Sequence, residues 1–174
     1  VSSSYPQGSK KRKDNYLSKI DGMVFGDSEE SGIRRGNKFY HGPLDLHLSS
    51  SNLWEIINTP NTLIFSSPFG EAVLQMTLED LNFREEPEEY LKRFTQNILE
   101  EEDLSINGFK GYSVKAIQSG KTTRMAVIFK QNQVYQFIGY LKDERSDFAK
   151  FDIEFKEIIK SFRKLNKDEI AYSK

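Results

Sequence analysis

Several residue types that carry chemistry are scarce or missing in this chain of 174 residues. Cysteine is absent, which excludes a disulfide framework, a thiol nucleophile and a cysteine-ligated metal. The two histidines, His41 and His47, do not form a His-Glu-x-x-His motif, so the usual zinc-peptidase helix is missing. Neither a Gly-x-Ser-x-Gly nucleophile motif nor a phosphate-binding glycine loop occurs. The sequence therefore predicts no catalytic residue, no metal site and no cofactor in this chain.

Long apolar runs and an excess of one charge are also absent. No apolar run approaches the ~20 residues that a helix needs to cross a bilayer. The 25 basic residues nearly balance the 26 acidic ones, whereas a general nucleic-acid binder would have a basic excess. The chain starts with VSSSYPQGS, which has neither an initiator methionine nor the apolar stretch of a signal peptide. We interpret the chain as a fragment of a longer protein.

The two histidines leave one metal site to consider. His41 and His47 are six residues apart on a predicted strand and turn, and a carboxylate from elsewhere would complete a site. His47 lies between Leu46 and Leu48, so in a strand its side chain points away from theirs. We therefore expect His47 to face solvent, and we favour the interpretation without a shared metal.

Aromatic residues, in contrast, are plentiful, with 13 Phe, eight Tyr and one Trp. Residues 146–163 predict one strongly amphipathic helix, because apolar side chains recur at steps of three and four: Phe148, Phe151, Phe155, Ile158, Ile159 and Phe162. Residues 111–141 predict three strands joined by tight turns. Such a helix needs an apolar surface to cover, and we expect these strands to supply it.

Earlier segments predict more strands and a second helix. Strands are expected at residues 39–41, 44–48, 54–57, 62–66 and 72–78. A helix is expected over residues 87–101, because Pro87 fits a first helical turn and Glu88 suits its positive end. Its buried stripe would be Tyr90, Leu91, Phe94, Ile98 and Leu99, followed by a solvated acidic run at residues 100–103. Short turns favour antiparallel pairing, so the predicted fold class is α+β, an antiparallel β-sheet flanked by helices.

The chain divides into three predicted parts. Residues 1–13 are interpreted as a disordered linker, whose basic run at residues 10–13 is either solvated or a localisation or anion-binding signal. Residues 14–165 are the single α+β domain, which opens with a short helix at about residues 13–21 burying Tyr16, Leu17 and Ile20. Residues 166–174 are a polar C-terminal tail with room for one more helical turn.

One segment resembles a known family. Residues 16–44 contain YLSKIDGMVFGD, followed by Gly32, Arg35-Gly36 and Phe39-Tyr40-His41-Gly42-Pro43-Leu44. This is similar to the segment that follows the catalytic domain in bacterial HtpX-like zinc metallopeptidases. Weaker matches follow in order, so that the resemblance covers residues 14–170: Trp54, residues 57–60, Gly70, Asn107-Gly108 and residues 161–165.

The resemblance implies a PsbP-like fold for this downstream region. The zinc ligands and the catalytic glutamate of the family match no position here, so zinc is expected only in a peptidase domain outside this chain. Family members are commonly exported, which implies an extracytoplasmic, periplasmic location for the bacterial parent. The chain departs from the family at Asp45-Leu46 and at Ser51-Asn52-Leu53, which bears on whether a ligand groove lies beside Trp54.

The resemblance also implies a function. The first hypothesis is a non-catalytic accessory domain of a zinc metallopeptidase, which binds the peptidase domain of the same chain, a substrate or a partner protein. The glycine-rich segment at residues 22–41 is the predicted docking segment, in which Arg35 offers a planar donor fork and Phe39 an apolar anchor. The candidate interaction residues are Arg35, Phe39, His41 and Trp54. The alternative for this segment is that it only caps the sheet.

Two other functions stay open. The chain could be a stand-alone PsbP-like ligand- or protein-binding module unrelated to proteolysis, which predicts a concave apolar site between sheet and helices. It could also be a small hydrolase, which predicts hydrolysis by the purified chain in the presence of chelators. No nucleic-acid partner is expected, and the sequence does not predict an oligomeric state.

Overall fold

The computed structural model describes residues 33–51, 53–81 and 84–172. The predicted linker, the predicted helix near residues 13–21 and residues 22–32 of the predicted docking segment lie outside the described residues. The described chain forms ten strands and three helices, in the order β1 Ile33–Arg35, β2 Lys38–His41, β3 Leu46–Ser49, β4 Glu55–Asn58, β5 Leu63–Ser66, β6 Ala72–Asp80, α1 Pro87–Lys92, β7 Ile98–Ile106, β8 Phe109–Gln118, β9 Lys121–Lys130, β10 Gln133–Leu141, α2 Phe148–Lys160 and α3 Lys167–Tyr172.

Two antiparallel sheets contain these strands. Strands β1, β2 and β3 form a three-stranded sheet in sequence order, and the other seven form a sheet in the order β4-β5-β6-β10-β9-β8-β7. The last strand, β10, pairs with β6, so it joins the early and the late strands into one sheet. The predicted α+β class with an antiparallel sheet flanked by helices is confirmed, and so are the three strands within residues 111–141.

The seven-stranded sheet has two faces, which we call the α2 face and the α1 face. The α2 face contains Phe65, Leu74 and Phe137, which pack against α2 and the small sheet in the main core. The α1 face contains Val114, Val127 and Val134, which form a second cluster with side chains of α1. This division follows from the period of two along each strand, which sends successive side chains to opposite faces.

Helix α2 lies on its sheet as the apolar spacing predicted. Asp147 caps its first turn by accepting a hydrogen bond from the Ala149 backbone N–H at 3.1 Å. Phe155 is fully buried and lies over Gly139, where an added Cβ would come within 2.7 Å of its ring. The glycine in β10 therefore allows the helix to approach the sheet closely.

The predicted helix over residues 87–101 is wrong in its second half. Helix α1 ends at Lys92, and Asn97 has a φ of 54°, which a helix cannot accommodate. Residues 98–106 form β7, an edge strand whose acidic run makes ion pairs, such as Glu100 with Lys115 at 3.1 Å. Phe94 and Leu99, expected in a buried stripe, are both 53% exposed. Pairing with β8 therefore outweighs the local helix propensity of residues 98–101. The acidic side chains of this edge strand also discourage its pairing with a strand of another chain.

The end of the described chain packs beside the small sheet. His47 in β3 and Arg163 exchange backbone hydrogen bonds of 2.8 and 3.2 Å. Arg163 donates two hydrogen bonds of 2.7 Å to the Glu169 carboxylate. Glu169 belongs to α3, which is the further helical turn predicted for the tail. No helix in the described part of the chain is long and apolar enough to cross a membrane.

Candidate functional site

An open groove lies where the β1–β2 hairpin meets the start of β4. Its volume is about 550 Å³, and its lining residues come from both segments: Arg34, Gly36, Asn37, Leu53, Trp54, Glu55 and Ile56. The hairpin belongs to the predicted docking segment, and Trp54 was predicted separately as an interaction residue. The fold therefore places part of the predicted docking segment beside Trp54, whereas its candidate residues Arg35, Phe39 and His41 are not among the lining residues.

Hydrogen bonds hold the hairpin wall of this groove. The Arg34 guanidinium donates from Nη1 to the Ile56 carbonyl oxygen at 2.5 Å, which ties β1 to the edge strand β4. Asn37 donates from its side-chain Nδ2 to the Ser50 carbonyl oxygen, also at 2.5 Å. Gly36 takes a φ of +64° in the turn, and glycine is suited to this conformation because it has no Cβ. The wall is therefore fixed from two sides.

Trp54 forms the floor of the groove and is only 4% exposed. Its indole Nε1 donates to the Glu154 carboxylate at 3.0 Å, and the Ser51 hydroxyl donates to the same oxygen at 2.9 Å. Its ring meets Phe151 and Phe155 edge to face, with centroids 6.5 and 6.2 Å apart. Each of these contacts connects the segment just before β4 to α2, so the floor is held by several interactions.

Leu53 is the most exposed large apolar residue of the groove. Its side chain is 81% exposed, and its φ of 79° lies in the left-handed region that a leucine rarely adopts. Such a conformation costs about 1–3 kcal/mol and occurs preferentially at ligand clamps and switch regions. Exposure and backbone strain together make Leu53 the side chain of this surface that is best placed to contact another molecule.

The four predicted interaction residues occupy different environments. Arg35 is exposed on β1, whereas Phe39 and His41 on β2 are 0% and 1% exposed. Phe39 is thus part of the main core, and the His41 ring accepts a hydrogen bond from the Leu44 N–H at 3.1 Å. Phe39, predicted as an apolar anchor, has no exposed surface in the folded chain. An interaction role for the four residues, direct or through the shape of the hairpin, stays a prediction.

The prediction that His47 faces solvent is wrong. Its side chain points away from Leu46 and Leu48 as expected, but Tyr40 and the segment around Arg163 cover that side, leaving it 5% exposed. Cross-strand pairing places Tyr40 opposite His47 and Leu46 opposite His41, so the two histidines lie on opposite faces of the small sheet. Residues 33–51, 53–81 and 84–172 contain no group of three His, Cys, Asp or Glu side chains that could hold a metal ion.

The marked pKa shifts belong to clusters outside the groove. Burial, followed by the nearby Arg163 cation, lowers the pKa of His47 to about 4. Hydrogen bonds from Arg163 lower the pKa of Glu169 to about 2. Burial and a hydrogen bond to Glu101 raise the pKa of Tyr112 to about 12. The groove itself offers the Arg34 donors, the Glu55 carboxylate and apolar surface, which is a set suited to binding a polypeptide or a small molecule.

Sequence reasoning missed two residues of this site. Leu53 is an apolar residue at the end of a polar turn, and that position was the available signal. Glu154 lies one residue before Phe155 on α2 and was not predicted as a site residue, although its carboxylate accepts the hydrogen bond from the Trp54 indole. No local pattern could have found Glu154, because its partner is 100 residues away in sequence.

Comparison with known proteins identifies the fold. No protein-family model and no curated protein matches the chain. A solution structure of cyanobacterial PsbP (CyanoP) from Synechocystis sp. PCC 6803 matches with a TM-score of 0.56 and 10% identity, over 76% of this chain and 95% of that one. A crystal structure from Bacteroides thetaiotaomicron VPI-5482 matches with a TM-score of 0.53 and 14% identity, over 78% of this chain and 50% of that one.

A third solved structure is more distant. LpqN of Mycobacterium tuberculosis, described as involved in cell envelope biogenesis, has a TM-score of 0.41 and 13% identity, over 67% of this chain and 81% of that one. None of the three proteins is described as a metallopeptidase. The chain has a PsbP-like α+β fold, as the family resemblance implied.

Proposed function

We propose that this chain is a non-catalytic binding module, and more specifically the accessory domain of an HtpX-like zinc metallopeptidase. The proposal rests on the resemblance of residues 16–44 to the segment that follows the peptidase domain in that family, and no family-model match adds to it. The PsbP-like fold, which the same resemblance implied, supports it. On this proposal the parent binds its zinc in the peptidase domain and is extracytoplasmic.

The groove beside Trp54 is the proposed docking surface for the peptidase domain or its substrate. It combines a fixed wall, an aromatic floor and the exposed Leu53 at its rim. Binding hot spots are typically apolar or aromatic side chains that become buried in an interface and are surrounded by a polar rim, and Leu53 is the apolar side chain that this surface offers. The described part of the predicted docking segment supplies Arg34, Gly36 and Asn37 to this surface.

The test is a titration with an HtpX-like peptidase domain supplied in trans. The chain should bind this domain and restore its activity or specificity toward a protein substrate. Leu53→Asp should weaken binding about tenfold or more, because a charge replaces an apolar contact. Aspartate tolerates a positive φ better than leucine, so the fold should be retained. The matched control is Ile153→Asp, at a position 62% exposed on α2 and outside the groove lining, which should leave binding unchanged. Absence of binding together with unchanged cleavage would reject the proposal.

A stand-alone binding module is the second candidate. The observation that favours it is the 95% coverage of the CyanoP chain, since the match spans nearly all of that solved chain. Sequencing the complete reading frame separates the two candidates. A His-Glu-x-x-His segment upstream supports the metallopeptidase proposal, and a frame without one supports the stand-alone module.

A further inference from the structure

One half of the α1 face of the seven-stranded sheet carries an apolar row. Cross-strand partners place Ile57 of β4 beside Ile64 of β5, Ile64 beside Gln75 of β6, and Gln75 beside Ile138 of β10. The row continues to Met125 of β9. We call these five side chains the isoleucine row. Ile57 and Ile138 are each 37% exposed, and the other three are half-buried.

At one end of this row Met125 packs against the cluster that includes side chains of α1, whereas no helix of the described chain packs over the other four side chains. On the α1 face, helix α1 contacts β8 and β9, while α2 and the small sheet lie on the opposite face. An antiparallel sheet can face water on one side, but the residues on that side are then mostly polar. Three isoleucines lie on this face where polar residues would be expected, which indicates a surface that another segment or molecule covers.

The occupant that fits is the chain's own segment at residues 14–25. This segment contains an apolar set with helical spacing followed by three more apolar residues: Tyr16, Leu17, Ile20, Met23, Val24 and Phe25. Its length and its point of attachment both suit the row. The described chain starts at Ile33, and the next residue, Arg34, bonds the carbonyl of Ile56, the neighbour of Ile57 in the row.

The distances allow this placement. Seven residues separate Phe25 from Ile33, and an extended chain of seven residues spans up to about 23 Å. The row begins at the edge strand β4, which the connecting chain reaches by passing about 10 Å from the small sheet to the other face, and from β4 to β10 the row crosses three strand spacings, about 14 Å. We propose that residues 14–25 dock on the isoleucine row and complete the α1 face of the sheet. This inference does not depend on the metallopeptidase proposal, because it concerns contacts within one chain.

Cross-linking provides the test, because the native chain has no cysteine and two introduced thiols are the only ones present. The full chain carrying Ile20→Cys and Ile138→Cys is treated with a short bismaleimide at low protein concentration. The matched control carries Ile20→Cys and Ile153→Cys, since Ile153 is more exposed and lies on α2, on the other side of the sheet. Docking should raise the yield of intramolecular cross-link about fivefold or more over the control, through a higher effective concentration.

Equal yields from the two pairs would overturn the proposal. Cross-linked dimers in place of monomers would also overturn it and would assign the row to a second copy. A methyl NMR comparison keeps the test independent of cross-linking chemistry. Deletion of residues 1–25 should shift the methyl signals of Ile57, Ile64 and Ile138 and leave those of Ile128, in the core of the other face, in place. Unchanged signals in the row would count against docking.

Discussion

The ion pair between Arg124 and Asp152 is the most deeply buried charge contact in the described chain, and its removal is a sharp test of how α2 is held. Arg124 on β9 is 1% exposed and donates to both carboxylate oxygens of Asp152 on α2, at 2.8 and 2.7 Å. It also donates to the Ser113 hydroxyl at 3.0 Å. Arginine satisfies a carboxylate with two parallel bonds in this way, and the contact connects the sheet to the helix.

Replacing Arg124 with methionine should be strongly destabilising. Methionine keeps part of the side-chain volume, but the carboxylate of Asp152, a residue that is only 7% exposed, then lacks its bidentate partner. Removing one member of a buried pair costs about 3–5 kcal/mol. Lys156, whose Nζ lies 3.9 Å from the same carboxylate, offers partial compensation and favours the lower end of that range. For a chain of this size a loss of 3–5 kcal/mol lowers the melting temperature by about 6–20 °C.

Urea unfolding and calorimetry of three variants would decide the point. Arg124→Met/Asp152→Leu removes both charges and should recover about 2 kcal/mol or more of the loss, since a buried pair can be replaced by apolar side chains at little cost. Arg145→Met is the matched control, because it breaks an exposed pair with Asp143 at 3.1 Å and should leave the unfolding midpoint unchanged. If Arg124→Met is as stable as this control, the reasoning about desolvation is refuted.

Two further predictions concern His47 and Gly139. Because the folded state holds the pKa of His47 at about 4, against 6.5 for an unperturbed group, the unfolded chain binds a proton first on acidification. The contribution of His47 to the free energy of unfolding should be fully present above about pH 6.5 and should fall by up to about 3 kcal/mol toward pH 4. In a series of urea unfolding midpoints measured at different pH values, His47→Gln should reduce the change over this pH range. Gly139→Ala should cost about 1–3 kcal/mol, because the new methyl group meets the fully buried Phe155. If the Gly139→Ala variant had the same unfolding midpoint as the wild type, α2 would be able to move away from β10.

Local patterns predicted the parts of this fold that bury one regular stripe. Helix α2 and strands β8, β9 and β10 have a clear apolar period and short polar turns, so their positions could be read from the sequence. Strand β7 has the opposite character. Its residues Glu100 and Glu101 favour helix locally, and only pairing with Lys115 and Tyr112 on β8 makes the strand stable.

The candidate site was predictable only in part. Arg35 and Trp54 were chosen from a family resemblance, and the fold places the hairpin and Trp54 at one groove. The burial of Phe39 and His41 could not be foreseen, because the small sheet folds back onto α2 through contacts more than 100 residues apart, such as Ser49 with Ser161.

The sequence by itself determined the α+β class, the lack of cysteine chemistry and the amphipathic helix α2, because each of these depends on residue types or on spacing along the chain. The tertiary structure alone decided that β6 joins β10, that His47 is buried and that Glu154 holds Trp54. Those outcomes depend on which distant segments share one core, and the free energy of burial is set by all partners together. A local pattern contains no information about those partners.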